Sequence, residues 1–186
     1  AVATTSCTTA IYMALMWFKR SYPSRAIIIP ARTYIGVPMS IKNAGFKPCF
    51  RHKEWSGKYR LSPLPLWDSA RRLTSGMFVD ISRHRYKAGK IQCLSLHWSK
   101  ILGVQQGGVL LTDSVEARDW LRRFGFDGRT RGEPIALDTF DLIGIHSYMS
   151  PETAAAALMR LSLLPEHNED LPNDNYPDLS LMEIFK

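Results

Sequence analysis

The sequence predicts an α/β domain with a mostly parallel sheet flanked by helices. Two observations lead there. Short apolar runs, several rich in β-branched residues, alternate along the chain with longer stretches of helical period. Several of those runs end in a polar residue or a turn signal, as strands of a buried parallel sheet do. In such sheets ligands sit at the carboxyl ends of the strands, so the polar residues that follow each run are the ones to inspect.

The elements follow in order. Thr8 or Thr9 can cap a helix running to about Arg20. Ile11, Tyr12, Met13, Leu15, Met16, Trp17 and Phe18 make it apolar nearly all round, which predicts burial. Residues 26–29 form a β-branched run stopped by Pro30, and 47–50 form a second candidate strand. Between them, Pro38 begins a helix and Gly45 closes it. Residues 51–63 read as a polar loop. Residues 64–67 are a strand ending at Asp68, and 92–96 and 109–112 are two more. Ser114 caps a helix to about Phe124, with Gly125 at its end. Ser150, Pro151 and Glu152 open another helix, which Pro165 ends. Residues 166–178 are acidic, contain Pro and Asn, and read as an extended surface tail.

The chain has 186 residues, 45% hydrophobic and 22% charged, enough for one globular domain with a sizeable core. Its net charge of +7 attracts phosphate-bearing partners such as nucleotides, nucleotide sugars or nucleic acid, although a solvated surface carries the same charges. The densest basic cluster runs from Arg71 through Arg83, Arg85 and Lys87 to Lys90. Cys7, Cys49 and Cys93 lie far apart without a CxxC pair, so no metal site is expected, and the sparse count fits a reducing cytoplasm. The longest apolar run, residues 10–18, falls short of the ~20 residues of a membrane span. Lys19 and Arg20 follow that run instead of preceding it, unlike a secretory signal. The chain begins without Met, as a trimmed start would.

Four segments carry candidate chemistry. Ser6-Cys7-Thr8-Thr9 lies at a helix start, where backbone amides and the helix dipole favour an anion; a plain threonine cap would look the same. Thr33-Tyr34 follows the first strand, where an aromatic ring can offer a stacking face or simply sit at the surface. Asp68 ends a strand, followed by Ser69, Ala70 and Arg71; alone it could be a helix cap. Ser95-Leu96-His97-Trp98-Ser99-Lys100 ends another strand, and Gly107-Gly108 opens the next, where a glycine pair permits a tight turn. A lone lysine is usually solvated, but here it sits inside a pattern.

In this order the segments resemble the DegT/DnrJ/EryC1/StrS family of pyridoxal-phosphate-dependent sugar aminotransferases, from Ser6 to about Leu164. The resemblance implies the large domain of aspartate aminotransferase fold type I, reduced in size. It implies pyridoxal 5'-phosphate as cofactor, with Thr8 and Thr9 on its phosphate and Ser95 adding a contact. Cys7 stands where the family has Gly. Tyr34 matches the aromatic residue that stacks on the cofactor ring, and Asp68 the carboxylate that pairs with the pyridine nitrogen. Arg71 stands where the family's His or Gln bonds the phenolic oxygen, and its permanent charge would alter the ring electronics. Lys100 matches the Schiff-base lysine and proton shuttle, a role that requires a lowered amine pKa. His146, in Gly144-Ile145-His146-Ser147-Tyr148-Met149, takes the place of an Asn that reaches the phosphate of the neighbouring subunit's cofactor.

The resemblance further implies a homodimer, glutamate as amino donor, and a keto-sugar nucleotide or similar phosphate-bearing carbonyl compound as acceptor. Family dehydratases lack the lysine, so Lys100 favours transamination. The expected layout is a cofactor-binding domain over residues 1–165, shortened between 50 and 68, then a tail over 166–186. The family's small C-terminal domain has no counterpart after the Pro151 helix. Two alternatives remain open: a minimal enzyme with the same cofactor acting on modified nucleotides or nucleic-acid bases, and a non-catalytic family remnant.

Overall fold

In the computed structural model, which describes residues 1–23, 26–81, 86–173 and 175–186, the first apolar run forms helix α1 (Cys7–Lys19). The basic residues Arg83 and Arg85, and Asp174 of the tail, lie outside the described residues. The cap of α1 is Ser6, not Thr8 or Thr9. Its extended backbone lets Oγ accept the Thr9 amide at 3.1 Å, which makes Thr9 the third residue of the first turn. Ala10, Met13, Ala14, Leu15 and Phe18 are wholly enclosed, so α1 is the central core helix.

Strands β1 (Val2–Thr4), β4 (Tyr59–Arg60), β5 (Leu66–Asp68), β6 (Ile91–Ser95) and β7 (Gly108–Thr112) make one sheet, in the order β1-β7-β6-β5-β4. β2 (Ala26–Pro30) and β3 (Lys47–Arg51) make a second, parallel pair. Ile28 and Ser62 exchange two backbone bonds of 2.7 and 3.1 Å that tie the pair to the region of β4. The architecture is α/β, as expected, but the sheet is mixed rather than mostly parallel. Among the described residues, β5–β6 and β2–β3 run parallel, and β1–β7, β6–β7 and β4–β5 are antiparallel. The connections explain this. Residues 96–107 fold into a turn and supply no crossover helix, and residues 61–65 are too short for one, so the following strand returns antiparallel.

Helix α2 (Gly36–Asn43) holds Pro38 in its first turn, with Gly45 at φ +81 just beyond its end. Helix α3 (Met77–Asp80) is a single turn. Helix α4 (Val115–Phe124) is capped by Ser114 and α5 (Pro151–Leu161) by Ser150, each through a side-chain oxygen accepting an amide. A small second core of Leu96, Leu102, Val104 and Ala157 seats α5 against the loop after β6. Residues 166–173 and 175–178 have no regular structure, and short 3-10 turns follow at Leu179–Leu181 and Glu183–Phe185. This tail is packed: Leu179 and Phe185 are buried, and the Phe185 ring lies 5.7 Å from that of Phe50. Among the described residues, no helix is long and apolar enough to cross a membrane.

Candidate active site

Strands β5 and β6 lie parallel, and Asp68, the last residue of β5, pairs with Cys93, two residues before β6 ends at Ser95. Gly108 pairs in register with Ser95 on one side and Thr4 on the other, and α1 starts three residues after Thr4. Asp68, Ser95, Gly108 and the first turn of α1 therefore share one edge of the sheet. Gly108 makes this possible: a Cβ there would lie 2.4 Å from the carbonyl of Ser6 and 2.5 Å from the Cys7 nitrogen. The amides at the start of α1, which have no intrahelical partner, are thereby set beside the strand ends.

Asp68 is the buried acid of this edge. Its Oδ1 accepts the Ala70 amide at 2.9 Å and its Oδ2 accepts the Tyr59 hydroxyl at 2.9 Å. The Tyr59 hydroxyl has one proton, which it gives to Asp68, so the Thr33 hydroxyl 2.7 Å away donates to Tyr59. Burial pushes the Asp68 carboxyl up, while the Ala70 amide, the Tyr59 hydroxyl and the charges of Lys100 and Arg71 pull it back. The Tyr59 phenol is itself pushed well up by burial and by Asp68.

Lys100 is half-buried on the turn after β6. Its amide donates to the His97 carbonyl at 2.8 Å, His97 Nδ1 lies 2.9 Å from the Ser99 hydroxyl, and the His97 amide reaches Ser95 Oγ at 3.4 Å. The Ser95 hydroxyl thus braces the turn that carries the lysine. Burial lowers the Lys100 amine, Arg71 lowers it further, and Asp68 and Cys7 oppose them. Lys100, Arg71, Asp68 and Cys7 are therefore within electrostatic reach of one another. The Cys7 and Cys93 thiols are buried and pushed well up, which marks them as neutral packing groups and not nucleophiles.

Thr33 and Tyr34 leave β2 toward the same edge. A Cβ on Gly36 would lie 2.7 Å from the Tyr34 ring and 2.9 Å from the Thr8 hydroxyl, so ring and hydroxyl converge over that glycine. Tyr34 is 55% exposed, which leaves ring surface for a ligand. Thr8, Thr9 and His146 line one polar cleft of about 330 Å³ together with Thr5, Ser40 and Ser147. Within it Thr9 Oγ1 sits 2.9 Å from Ser6 Oγ, and His146 Nδ1 is 2.8 Å from Asp127 Oδ2. His146 thus stands beside the first turn of α1 in its own chain.

Arg71 is buried beneath the tail. Its Nη1 donates to the Pro172 carbonyl and its Nη2 lies 3.5 Å from the Tyr176 hydroxyl. A larger cleft of about 1200 Å³ lies elsewhere: Leu94, Leu96, Val109 and Leu111 line it on the opposite sheet side, and it holds none of the site residues. Sequence reading missed Tyr59 and Thr33 as supports of Asp68. The signal was present, because buried Tyr59 and Leu61 flank exposed Arg60 with strand alternation inside the stretch read as a polar loop. Nothing local marked Tyr176.

The fold is shared with solved aminotransferases. The S. venezuelae protein DesV is 20% identical and superposes with a TM-score of 0.63 over 87% of this chain and 51% of its own. The sugar aminotransferase CalS13 of Micromonospora echinospora is 15% identical, with a TM-score of 0.66 over 87% of this chain and 55% of its own. NtdA of Bacillus subtilis, solved with bound PMP, is 19% identical, with a TM-score of 0.60 over 86% of this chain and 43% of its own. At these identities the likeness is one of fold. The chain spans about half the length of the solved structures it matches. Residues 1–54 match the model of the DegT/DnrJ/EryC1/StrS aminotransferase family, which bears out the resemblance read from the sequence. No curated protein matches the chain.

The residues present fit pyridoxal phosphate. The buried carboxylate of Asp68 receives two hydrogen bonds yet remains pushed up by desolvation, a deficit that a protonated ring nitrogen would fill. Burial and Arg71 lower the half-buried Lys100 amine, the direction that a Schiff-base lysine requires. The first turn of α1 supplies the anion site.

Proposed function

We propose that this chain acts as a pyridoxal-phosphate-dependent aminotransferase, with Lys100 as the residue that holds the cofactor. One observation carries the reading: a half-buried lysine with a depressed amine stands within electrostatic reach of a buried strand-end carboxylate, at the edge where α1 begins. When bound, the cofactor would supply an aldehyde and an electron-withdrawing pyridine ring. Asp68 would hold the ring nitrogen protonated, and Tyr59 and Thr33 keep that carboxylate oriented. Thr8 and Thr9, with the amides of their turn, would hold the phosphate, and Ser95 and His146 would add to that shell. Tyr34 would cover the ring face. The Lys100 amine, lowered by burial and by Arg71, would be the group that takes up and passes on a proton at this edge.

The acceptor in this reading is a keto-sugar nucleotide or a similar phosphate-bearing carbonyl compound, with glutamate as amino donor. The net charge of +7 supports an anionic substrate. The protein works as a homodimer in a reducing cytoplasm, where its three cysteines stay as thiols. Exposed Leu137 and Ile143 ahead of His146, and Leu158, Met159 and Leu163 on and after α5, supply apolar surface for such a contact. Residues 1–165 are the cofactor-binding domain.

The test is a borohydride trap. Protein mixed with pyridoxal phosphate is reduced, digested and mapped by mass spectrometry, with Lys100→Ala as control. A phosphopyridoxyl adduct confined to Lys100 is expected. Adducts spread over surface lysines, or none, would end the aminotransferase reading.

A further inference from the structure

The two faces of the large sheet are covered unequally. Helix α1 packs on one face of β6 and β7, where Ile91, Cys93 and Leu110 belong to the main core. Strand alternation sends Leu94 of β6, and Val109 and Leu111 of β7, to the other face. There they floor the cleft of about 1200 Å³, and the buried side chains of Leu96 and Leu102 extend that floor. Ala157 and Leu161 of α5 and Met77 and Val79 of α3 also line it. Val79 is 62% exposed and Leu161 51%, so large apolar side chains meet water inside an apolar recess.

One end of the cleft is cationic. Helix α4 and the loop after it bring Arg122, Arg123 and Arg131 to the lining, beside the edge strand β1. Arg122 and Arg131 are exposed and make no hydrogen bond or ion pair among the described residues; the Arg131 guanidinium rests 5.3 Å from the Phe126 ring centre. Arg123 Nη2 donates to the Gly128 carbonyl at 3.2 Å and to Asp141, while its Nε is buried without a partner. Asp119 is the one acid among the described lining residues, and Arg118 holds both its oxygens, at 2.7 and 3.0 Å. Away from this end the polar lining is Thr74, whose hydroxyl is already bonded to the Glu166 carbonyl at 3.3 Å.

We propose that this cleft binds a long-chain carboxylate, with its hydrocarbon on the apolar floor and its head group at Arg122 and Arg131. The volume exceeds the roughly 300–1,000 Å³ of pockets for compact small molecules, so it suits an elongated one. The lining is apolar except at one end, which matches an apolar body with a single terminal charge. That end is cationic, and the guanidinium fork fits a carboxylate. The floor offers no strand edge: β7 is paired with β1 and β6, and β6 with β7 and β5, so an added strand finds no backbone partner there. Leu94, Leu96 and Leu102 are buried at the base of the recess, which a single molecule reaches and a bilayer surface does not. The cleft holds none of the candidate site residues, so the inference stands apart from the aminotransferase reading.

The experiment is calorimetric titration of the full chain with octanoate, decanoate and dodecanoate, each below its micelle concentration, and with decanol. Saturable one-to-one binding is expected. Each two added methylenes should tighten it about tenfold, since burial of one gives roughly a three- to fourfold gain. Decanoate should bind about tenfold tighter than decanol, because its charge meets the arginines. The double variant Arg122→Glu, Arg131→Glu should erase that difference and leave decanol binding unchanged, which shows in the same sample that the cleft is intact. Val79→Glu and Leu161→Glu, at exposed positions, should weaken both ligands about tenfold or more. Leu181→Glu, exposed on the tail and outside the cleft, should weaken neither. No saturable binding, no dependence on chain length, or equal affinity for decanoate and decanol would overturn the proposal. Binding to phosphatidylglycerol vesicles without binding of monomeric decanoate would also overturn it and give this face to a membrane. A dimer that Leu161→Glu dissociates, again without decanoate binding, would give the face to a second copy of the chain instead.

Discussion

Tyr59→Phe removes one oxygen and tests the support of Asp68. The phenol is buried, donates to Asp68 at 2.9 Å and accepts from Thr33 at 2.7 Å, and both partners are themselves buried. With Asp68 ionised, the first bond is charge-assisted and contributes roughly 1.5–3 kcal/mol, and the second, between neutral groups, roughly 0.5–1.5 kcal/mol. Phenylalanine keeps the ring and its contact with Trp55, so the packing loss is small and the expected cost is about 2–4 kcal/mol. When Asp68 is protonated the first bond becomes a neutral one and the cost falls to about 1–2 kcal/mol. Urea unfolding of wild type and variant in buffers above and below the pH at which Asp68 titrates reads both values. The variant should also raise the Asp68 carboxyl further, because the Tyr59 hydroxyl is one of the groups holding it down. A cost below about 0.5 kcal/mol, or the same cost in both buffers, would refute the account of Asp68 as an acid oriented by a phenol.

Other outcomes follow from the same contacts. Gly108→Ala would drive a Cβ to 2.4 Å from the Ser6 backbone and should cost about 1–3 kcal/mol or more, with loss of cofactor labelling at Lys100, both readable by thermal melts and the borohydride trap. Asp68→Asn should remove a pH dependence of stability. The Asp68 carboxyl is raised in the folded protein, so its contribution is complete below its unfolded value and is lost as pH rises through its folded value; melts across acid pH should show that fall in wild type and not in the variant. Leu179→Ala should destabilise by about 2–5 kcal/mol in urea, because a wholly buried leucine leaves a cavity; an exposed tail would give almost nothing.

Most of the elements were legible in the sequence because their signals are local. The apolar circumference of α1, the caps at Ser114 and Ser150, and the Asp68 and Ser95 strand ends each depend on neighbours within a few residues. Where several signals competed, the sequence was less clear. Thr8 or Thr9 was read as the cap, and the extended backbone of Ser6 places it earlier. The sheet was read as mostly parallel because the strand runs are apolar, but strand direction depends on what each connection can span. The alternation of Tyr59, Arg60 and Leu61 lies inside a stretch read as a polar loop, so Tyr59 was passed over.

By itself the sequence determined the order of chemical groups along the chain: an anion-favouring helix start, an aromatic residue after a strand, a strand-end acid, and a lysine ahead of a glycine pair. It did so because each sits at a boundary that local patterning marks. Only the tertiary structure decided that these boundaries meet at one sheet edge, that Tyr59 and Thr33 hold Asp68, and that the tail folds back over Arg71. Those contacts join residues from 9 to 101 positions apart, and no local periodicity encodes which distant partner a buried polar group will find.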